Sequence, residues 1–198
     1  TLRAGTEYVM SVDSRRASDL TILNNGWGSV NWDFGPITDT SRFVTLAFFL
    51  RGTNFNSPTI SRISTASATS IDYMFANAFK FNQDLNHFDL SNVTTLNAVF
   101  TSARAFNSSI ASWDVSNITE MLSTFNDSGF NQPLNSWDVS NVKNMQGMFQ
   151  NARAFNQRLD AWLPSRVYRV HDMFRNSPFD QDISMWCVPT IFMGGGDT

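Results

Sequence analysis

The chain has 198 residues, a net charge of −3 and one cysteine. This charge excludes a strongly basic nucleic-acid-binding surface, and a single cysteine excludes an internal disulfide. No apolar run is long enough to span a membrane, and no signal peptide is visible. Because residue 1 is Thr rather than Met, we expect a processed or truncated product, which leaves open an export signal or anchor upstream.

The first part of the chain, residues 1–40, is predicted to be a small N-terminal β cap. The strings EYVMSV and DLTIL are typical of strands, and NNGWG between DLTIL and SVNWDF is typical of a hairpin turn. A stack of repeats exposes an apolar first face, which a cap would cover.

Residues 41–186 repeat one unit. Its clearest copies read FNQDLNHFDLSNVTTLNAVF, FNSSIASWDVSNITEMLSTF and FNQPLNSWDVSNVKNMQGMF, which return every 24 or 25 residues. This period predicts stacked units that each contact only their neighbours. We count about six coils and name the later ones by the phenylalanine that closes each copy: Phe75, Phe100, Phe125, Phe149 and Phe174.

Each coil combines two patterns. The string L-x-x-W-D-V is typical of a leucine-rich-repeat strand, and S-N-V-x-x-M-x-x-M-F has the apolar spacing of a helix with serine at its N-cap. The sequence therefore predicts an α/β solenoid: a right-handed, leucine-rich-repeat-like array of strand–turn–helix coils with a parallel sheet. Equivalent Phe, Trp and Asn side chains should stack as ladders about 4.8 Å apart.

The end of the chain, residues 187–198, is predicted to be a C-terminal cap and flexible tail, because MWCVPTIFM departs from the repeat and GGGDT follows. Cys187 replaces the repeat's Asp beside Trp186. It is either a small apolar residue of the cap, or a reactive thiol or one half of an intermolecular bridge.

Two polar ladders follow from the register, and each has two interpretations. The aspartates are either a strip that binds a ligand or cation, or acceptors for backbone amides of their own S-N-V turns. The asparagines either satisfy backbone groups from buried turn positions or form an exposed binding stripe. The members are Asp89, Asp114 and Asp138 for the first ladder, and Asn82, Asn107, Asn131 and Asn156 for the second.

The sequence contains no recognisable catalytic or metal-binding pattern. His87 and His171 occupy different repeat positions, and with one cysteine they make no metal set. No nucleophile elbow, phosphate-binding glycine loop or zinc-protease motif is present. We therefore predict no enzyme, no metal and no cofactor.

With the repeat in view, WDVSNVKNMQGMFQNARAFNQ resembles the BspA-like repeats of bacterial surface proteins and mycoplasma lipoproteins, an irregular class of leucine-rich repeat. The terminal DISMWCVPTI resembles the ends of such arrays in marine bacterial and phage-encoded proteins. The resemblance implies surface display and adhesion or host contact without catalysis.

We accordingly predict an extracellular, cell-surface recognition or adhesion module that binds a protein or a glycan. The alternative is a virion structural protein, such as a capsid decoration, tail or fibre domain, that contacts other virion proteins. Neither function involves nucleic acid or membrane insertion by this segment. The predicted binding face is the solvent side of the strand ladder, formed by Asn86, His87, Asp89, Ser112, Asp114, Asn135, Ser136 and Asp138.

Overall fold

We describe a computed structural model over residues 8–10, 32–34, 46–47 and 49–186. Its regular elements are strand β1 (Tyr8–Met10), strand β2 (Trp32–Phe34) and a 3-10 helix (Pro58–Arg62). The two strands pair in parallel with Tyr8 opposite Trp32, and β2 contacts the 3-10 helix. The predicted DLTIL strand, the NNGWG turn and residues 187–198 lie outside the described residues. The boundaries at residues 40 and 186 stay predictions.

The predicted α/β solenoid is wrong. Within the described residues the L-x-x-W-D-V segments are irregular, the S-N-V-x-x-M-x-x-M-F segments are successive turns, and neither the parallel sheet nor the helices form. Neighbouring coils are joined instead by isolated parallel bridges, which link Thr95 to Glu120, Glu120 to Asn144 and Asn144 to Arg169. The coils therefore pair in the segment predicted to be helical, and not along the predicted strand.

The hydrogen bonds explain why no helix forms there. The amides of Met145 and Phe149 donate at 2.8 Å to carbonyls of Arg169 and Met173 in the next coil. An amide used in this way cannot bond the carbonyl four residues earlier, as a helix requires. Other amides of the segment close three-residue turns, such as that of Gln150, which donates to a carbonyl three residues before it.

Left-handed backbone conformations recur at two positions of each coil from the one closed by Phe75 to the one closed by Phe174. A positive φ occurs two residues before each closing phenylalanine and two residues after it. An α-helix cannot include such residues, so the apolar spacing of three and four arises from paired tight turns. The first position holds Tyr73, Ala98, Ser123, Gly147 and Asp172, and the second holds Asn77, Ser102, Asp127, Asn151 and Asn176.

The core consists of stacked aromatic ladders, as predicted from the register, but the ring centroids of equivalent residues lie 5.4 to 6.4 Å apart and not the predicted distance of about 4.8 Å. Phe100 and Phe125 lie 5.6 Å apart between ring centroids and are nearly parallel, and Phe100 lies 4.0 Å from Phe106 in a second phenylalanine ladder. A third ladder pairs Trp113 with Trp137 at 6.4 Å. These rings are almost fully buried, so each coil depends on its neighbours to cover its apolar faces.

One carboxylate lies within the turns that join the coils. Asp72 accepts hydrogen bonds from the Thr95 hydroxyl at 2.9 Å and from the Asn97 amide at 2.9 Å. Burial raises the pKa of Asp72 above its ordinary value of 3.8, and these hydrogen bonds offset part of the rise. One coil further on, the side-chain oxygen of Asn97 accepts a hydrogen bond from the Leu122 amide at 3.0 Å.

Replacing Asp72 by Asn should raise the melting temperature at pH 7. The folded carboxyl holds its proton more tightly than the unfolded one, so its ionisation opposes folding once the pH exceeds the ordinary pKa of 3.8. Asn removes that charge and keeps an acceptor for the Asn97 amide. The advantage should shrink as the pH falls below 3.8, because the wild-type carboxyl is then protonated in both states. Thermal melts at pH 7 and pH 3 measure it, and an equal effect at both would contradict this account.

Candidate recognition surfaces

Each tryptophan of the repeat links its coil to the preceding coil by a hydrogen bond from its indole N–H, and in the coil that contains Phe88 a histidine makes this bond instead. The indole N–H of Trp113 donates to the Leu85 carbonyl at 2.9 Å, and the later tryptophans do the same one coil further on. Phe88 has no N–H, and there the Nε2 of His87 lies 3.2 Å from the Ile60 carbonyl. Because a carbonyl only accepts, this nitrogen must carry the proton. His87, predicted for the binding face, therefore also supplies the bond that tryptophan makes elsewhere.

The variant His87→Ser should lose about 1 kcal/mol of stability, the typical value of one hydrogen bond. Adding Phe88→Trp should restore most of it, because the pair then matches the Ser-Trp of the Trp113 and Trp137 coils and an indole N–H faces Ile60. Urea unfolding of both single variants and the double variant measures the coupling. Purely additive effects would show that His87 and tryptophan do not substitute for one another.

Three exposed aspartates form a row that we call the acidic stripe: Asp89, Asp114 and Asp138. Each accepts a hydrogen bond from the amide two residues further on, at 2.9 or 3.0 Å. The turn hydrogen bonds of the second interpretation are therefore confirmed, and a role of the stripe in binding a ligand stays a prediction. Within the described residues, no group of three or more His, Cys, Asp or Glu side chains could hold a metal ion.

These turn hydrogen bonds lower the pKa values of the acidic stripe and so favour its ionised form. The amide of Ser91, followed by its hydroxyl, lowers the pKa of Asp89 below its ordinary value. The pKa values of Asp114 and Asp138 are lowered mainly by the hydroxyl of the serine two residues on, and then by its amide. At Asp138, burial and then the negative charge of Asp114 oppose part of this effect.

The remaining predicted face residues link neighbouring coils. The Ser112 hydroxyl donates to Asn86 Oδ1 at 2.6 Å, and the Ser136 hydroxyl donates to the Ala111 carbonyl at 3.1 Å. Asn135 donates to Asp160 at 3.0 Å and is half-buried, whereas the others are exposed. The structure thus places the predicted face in register from coil to coil, and its role in binding stays a prediction.

The side chains of the asparagine ladder accept hydrogen bonds from backbone amides of the next coil, which confirms the interpretation that they satisfy backbone groups. Asn107 accepts the Asn131 amide at 2.8 Å, and Asn131 accepts the Asn156 amide at 3.0 Å. Glutamines of the F-N-Q string reinforce the ladder, such as Gln157, whose amide donates to Asn131. The asparagines are exposed or half-buried, so the expectation that they are buried is wrong.

Sequence reasoning missed a groove of about 480 Å³ beside Gly129. It lies in the segment between a closing phenylalanine and the next phenylalanine, which we call the return turn. The Phe125 coil has the return turn NDSG, one residue shorter than TSARA and QNARA in the coils on either side. This length difference was visible in the sequence and is the signal that could have located the groove.

The stacked coils define a repeat protein whose units pair only with their neighbours. A family model described as "Mycoplasma protein of unknown function, DUF285" matches residues 19–129 and residues 87–186. The chain belongs to this family. The first match begins inside the segment predicted to be the N-terminal cap.

The other comparisons give no relative. No curated protein and no solved structure matches the chain. In the part of the chain that the structure describes, no helix has the length and apolar character needed to cross a lipid bilayer.

Proposed function

We propose that the protein is a non-catalytic recognition module, displayed at a cell surface, that binds a protein or a glycan. The proposal rests on one observation: the coil-to-coil register holds exposed polar side chains in fixed rows. The acidic stripe and its neighbours are already hydrogen-bonded to their own turns or to adjacent coils. A partner would therefore meet an ordered surface, and little side-chain entropy would be lost on binding.

The kinship to BspA-like repeats is part of this proposal. It supports surface display and adhesion, and the family match extends over the same coils that carry the W-D-V-S-N-V string. A row of small polar groups gives weak single contacts. Strong attachment would then come from many copies on one surface, because multivalent binding multiplies weak affinities.

The test removes the charge of the acidic stripe and keeps its turns. The triple variant Asp89→Asn, Asp114→Asn, Asp138→Asn retains a side-chain oxygen for each serine amide. It should melt close to the wild type and attach beads coated with the protein to cultured cells much more weakly. Production in a bacterial host avoids glycosylation of the N-x-S strings that the substitutions create.

A matched control removes three charges elsewhere: Asp84→Asn, Glu120→Gln, Asp180→Asn. This control should attach like the wild type. Equal attachment by all three proteins would contradict recognition through the acidic stripe. Equal losses in both triple variants would show that only the net charge matters.

A structural role in a larger assembly, such as a virion, is the second candidate. It is favoured by the Phe174 coil, where four alternate amides have no acceptor among the described residues: Val170, Asp172, Phe174 and Asn176. In the preceding coil the corresponding amides pair with the next coil. Under this hypothesis, changes in residues 1–40 or 185–198 would abolish incorporation into particles, and the stripe variant would be incorporated normally.

A further inference from the structure

The groove beside Gly129 lies where a four-residue return turn stands between two five-residue ones. A Cβ added at Gly129 would lie 2.1 Å from the carbonyl oxygen of Arg104, so the short turn lies directly against the backbone of the preceding coil. The arginine that each neighbouring return turn carries, Arg104 and Arg153, has no counterpart in the short one. The missing residue leaves a depression between two arginine-bearing coils, and both arginines line it.

The two arginines differ in their partners. Arg104 donates to Asp127 Oδ2 through Nη2 at 2.7 Å and through Nε at 3.1 Å, and its guanidinium lies 5.8 Å from the ring centroid of Phe79. Arg153 is exposed and has no ion-pair or hydrogen-bond partner among the described residues. Arg104 is therefore held in place, whereas the guanidinium of Arg153 is available to an anion.

The groove also carries groups that suit hydroxyls. Asp127 is held through Oδ2 by Arg104 and by the Ser102 hydroxyl at 3.2 Å, which leaves Oδ1 as an acceptor. Asn151 accepts from Asn176 through Oδ1 at 2.9 Å, which leaves its side-chain N–H groups as donors. A cation, an acceptor and a donor thus converge on one polar groove.

We propose that this groove binds a uronic-acid glycan. The sugar carboxylate pairs with the Arg153 guanidinium, which matches carboxylate geometry with two parallel hydrogen bonds. The ring hydroxyls bond Asp127 and Asn151, each of which offers an unused polar group. An acidic peptide also offers carboxylates, but it lacks the ring hydroxyls that Asp127 Oδ1 and the Asn151 N–H groups would bond. The groove is a second surface, distinct from the acidic stripe, and the proposal names the class of ligand that it binds. It rests on the proposed function only in that both take the protein to be a binding module.

The experiment is a calorimetric titration with an alginate hexasaccharide, a uronate polymer fragment. We expect the wild type to bind it and to ignore the neutral cellohexaose. Arg153→Gln should weaken binding about tenfold or more, the loss expected when a charged hydrogen bond is removed. Arg153→Lys should recover part of the affinity. Lys143→Gln is the matched control, because it removes one exposed positive charge outside the groove and should bind like the wild type.

Three outcomes would overturn the proposal: no binding of the hexasaccharide, equal weakening by Arg153→Gln and Lys143→Gln, or binding of hexaglutamate as tight as that of the uronate. The stripe variant with three Asp→Asn changes should titrate like the wild type. Uronate binding together with a failed cell-attachment test would reject the role of the acidic stripe alone, and the reverse result would reject only the groove.

Discussion

Phe149→Ala should destabilise the protein by about 3–5 kcal/mol, the range measured for large aromatic truncations in cores. The ring is fully buried and stacks on Phe125 at 5.4 Å, on Phe174 at 5.7 Å and on Phe155 at 3.8 Å. Removing it interrupts the ladder of closing phenylalanines, takes away its contact with the second ladder and leaves a cavity between the neighbouring coils. Urea unfolding followed by tryptophan fluorescence gives the change in free energy.

Gln146→Ala is the control for this variant. Gln146 is exposed in the same coil, and its side chain makes no hydrogen bond to another described residue, so truncation should change the stability by less than about 0.5 kcal/mol. Gln150 in the same coil would be a poorer control, because its side chain accepts a hydrogen bond from Asn126 at 2.9 Å. Similar losses for Phe149→Ala and Gln146→Ala would mean that the register of the core is wrong.

Gly129→Ala should also be strongly destabilising, by about 1–3 kcal/mol or more, as for overpacking at a site that cannot relax. The new methyl group would lie 2.1 Å from the Arg104 carbonyl oxygen, a backbone atom that cannot rotate away. It would also strain the hydrogen bond from the Gly129 amide to the Ala103 carbonyl at 3.3 Å. Thermal melting checks the size of the effect.

Gly52→Asn tests whether any loss of glycine has this effect. Gly52 has a φ of +69°, a Cβ added there would meet no atom within 4 Å, and Asn tolerates the left-handed conformation. The melting temperature of this variant should stay near that of the wild type. A Gly129→Ala protein that melts like Gly52→Asn would show that the short return turn can move away from Arg104.

The repeat register could be read from the sequence because the core is periodic. The period placed the aromatic ladders, and side-chain chemistry suggested the turn bonds of Asp114 and the asparagine ladder. The secondary structure could not be read in this way. Apolar residues at spacings of three and four suit a helix, but they equally suit a pair of turns with left-handed residues such as Ser123 and Asp127.

The candidate sites show the same division. The polar row from Asn86 to Asp138 follows from the repeat, since equivalent residues of stacked coils lie beside one another. The structural role of His87 could be predicted only from the fact that its neighbour Phe88 lacks the N–H that tryptophan supplies in later coils. The groove could not be predicted from a chemical motif, because it follows from a return turn that is one residue shorter than its neighbours.

The short return turn of the Phe125 coil changes the surface of the stack without changing the packing of its core. Phe130 still stacks on Phe106 at 5.9 Å and on Phe155 at 6.4 Å, although its coil has lost a residue just before it. The shorter chain is accommodated in the return turn, where Gly129 lies against the backbone of the preceding coil. In this chain, a return turn can therefore lose one residue and gain a surface groove while the stacked phenylalanines on either side keep their contacts.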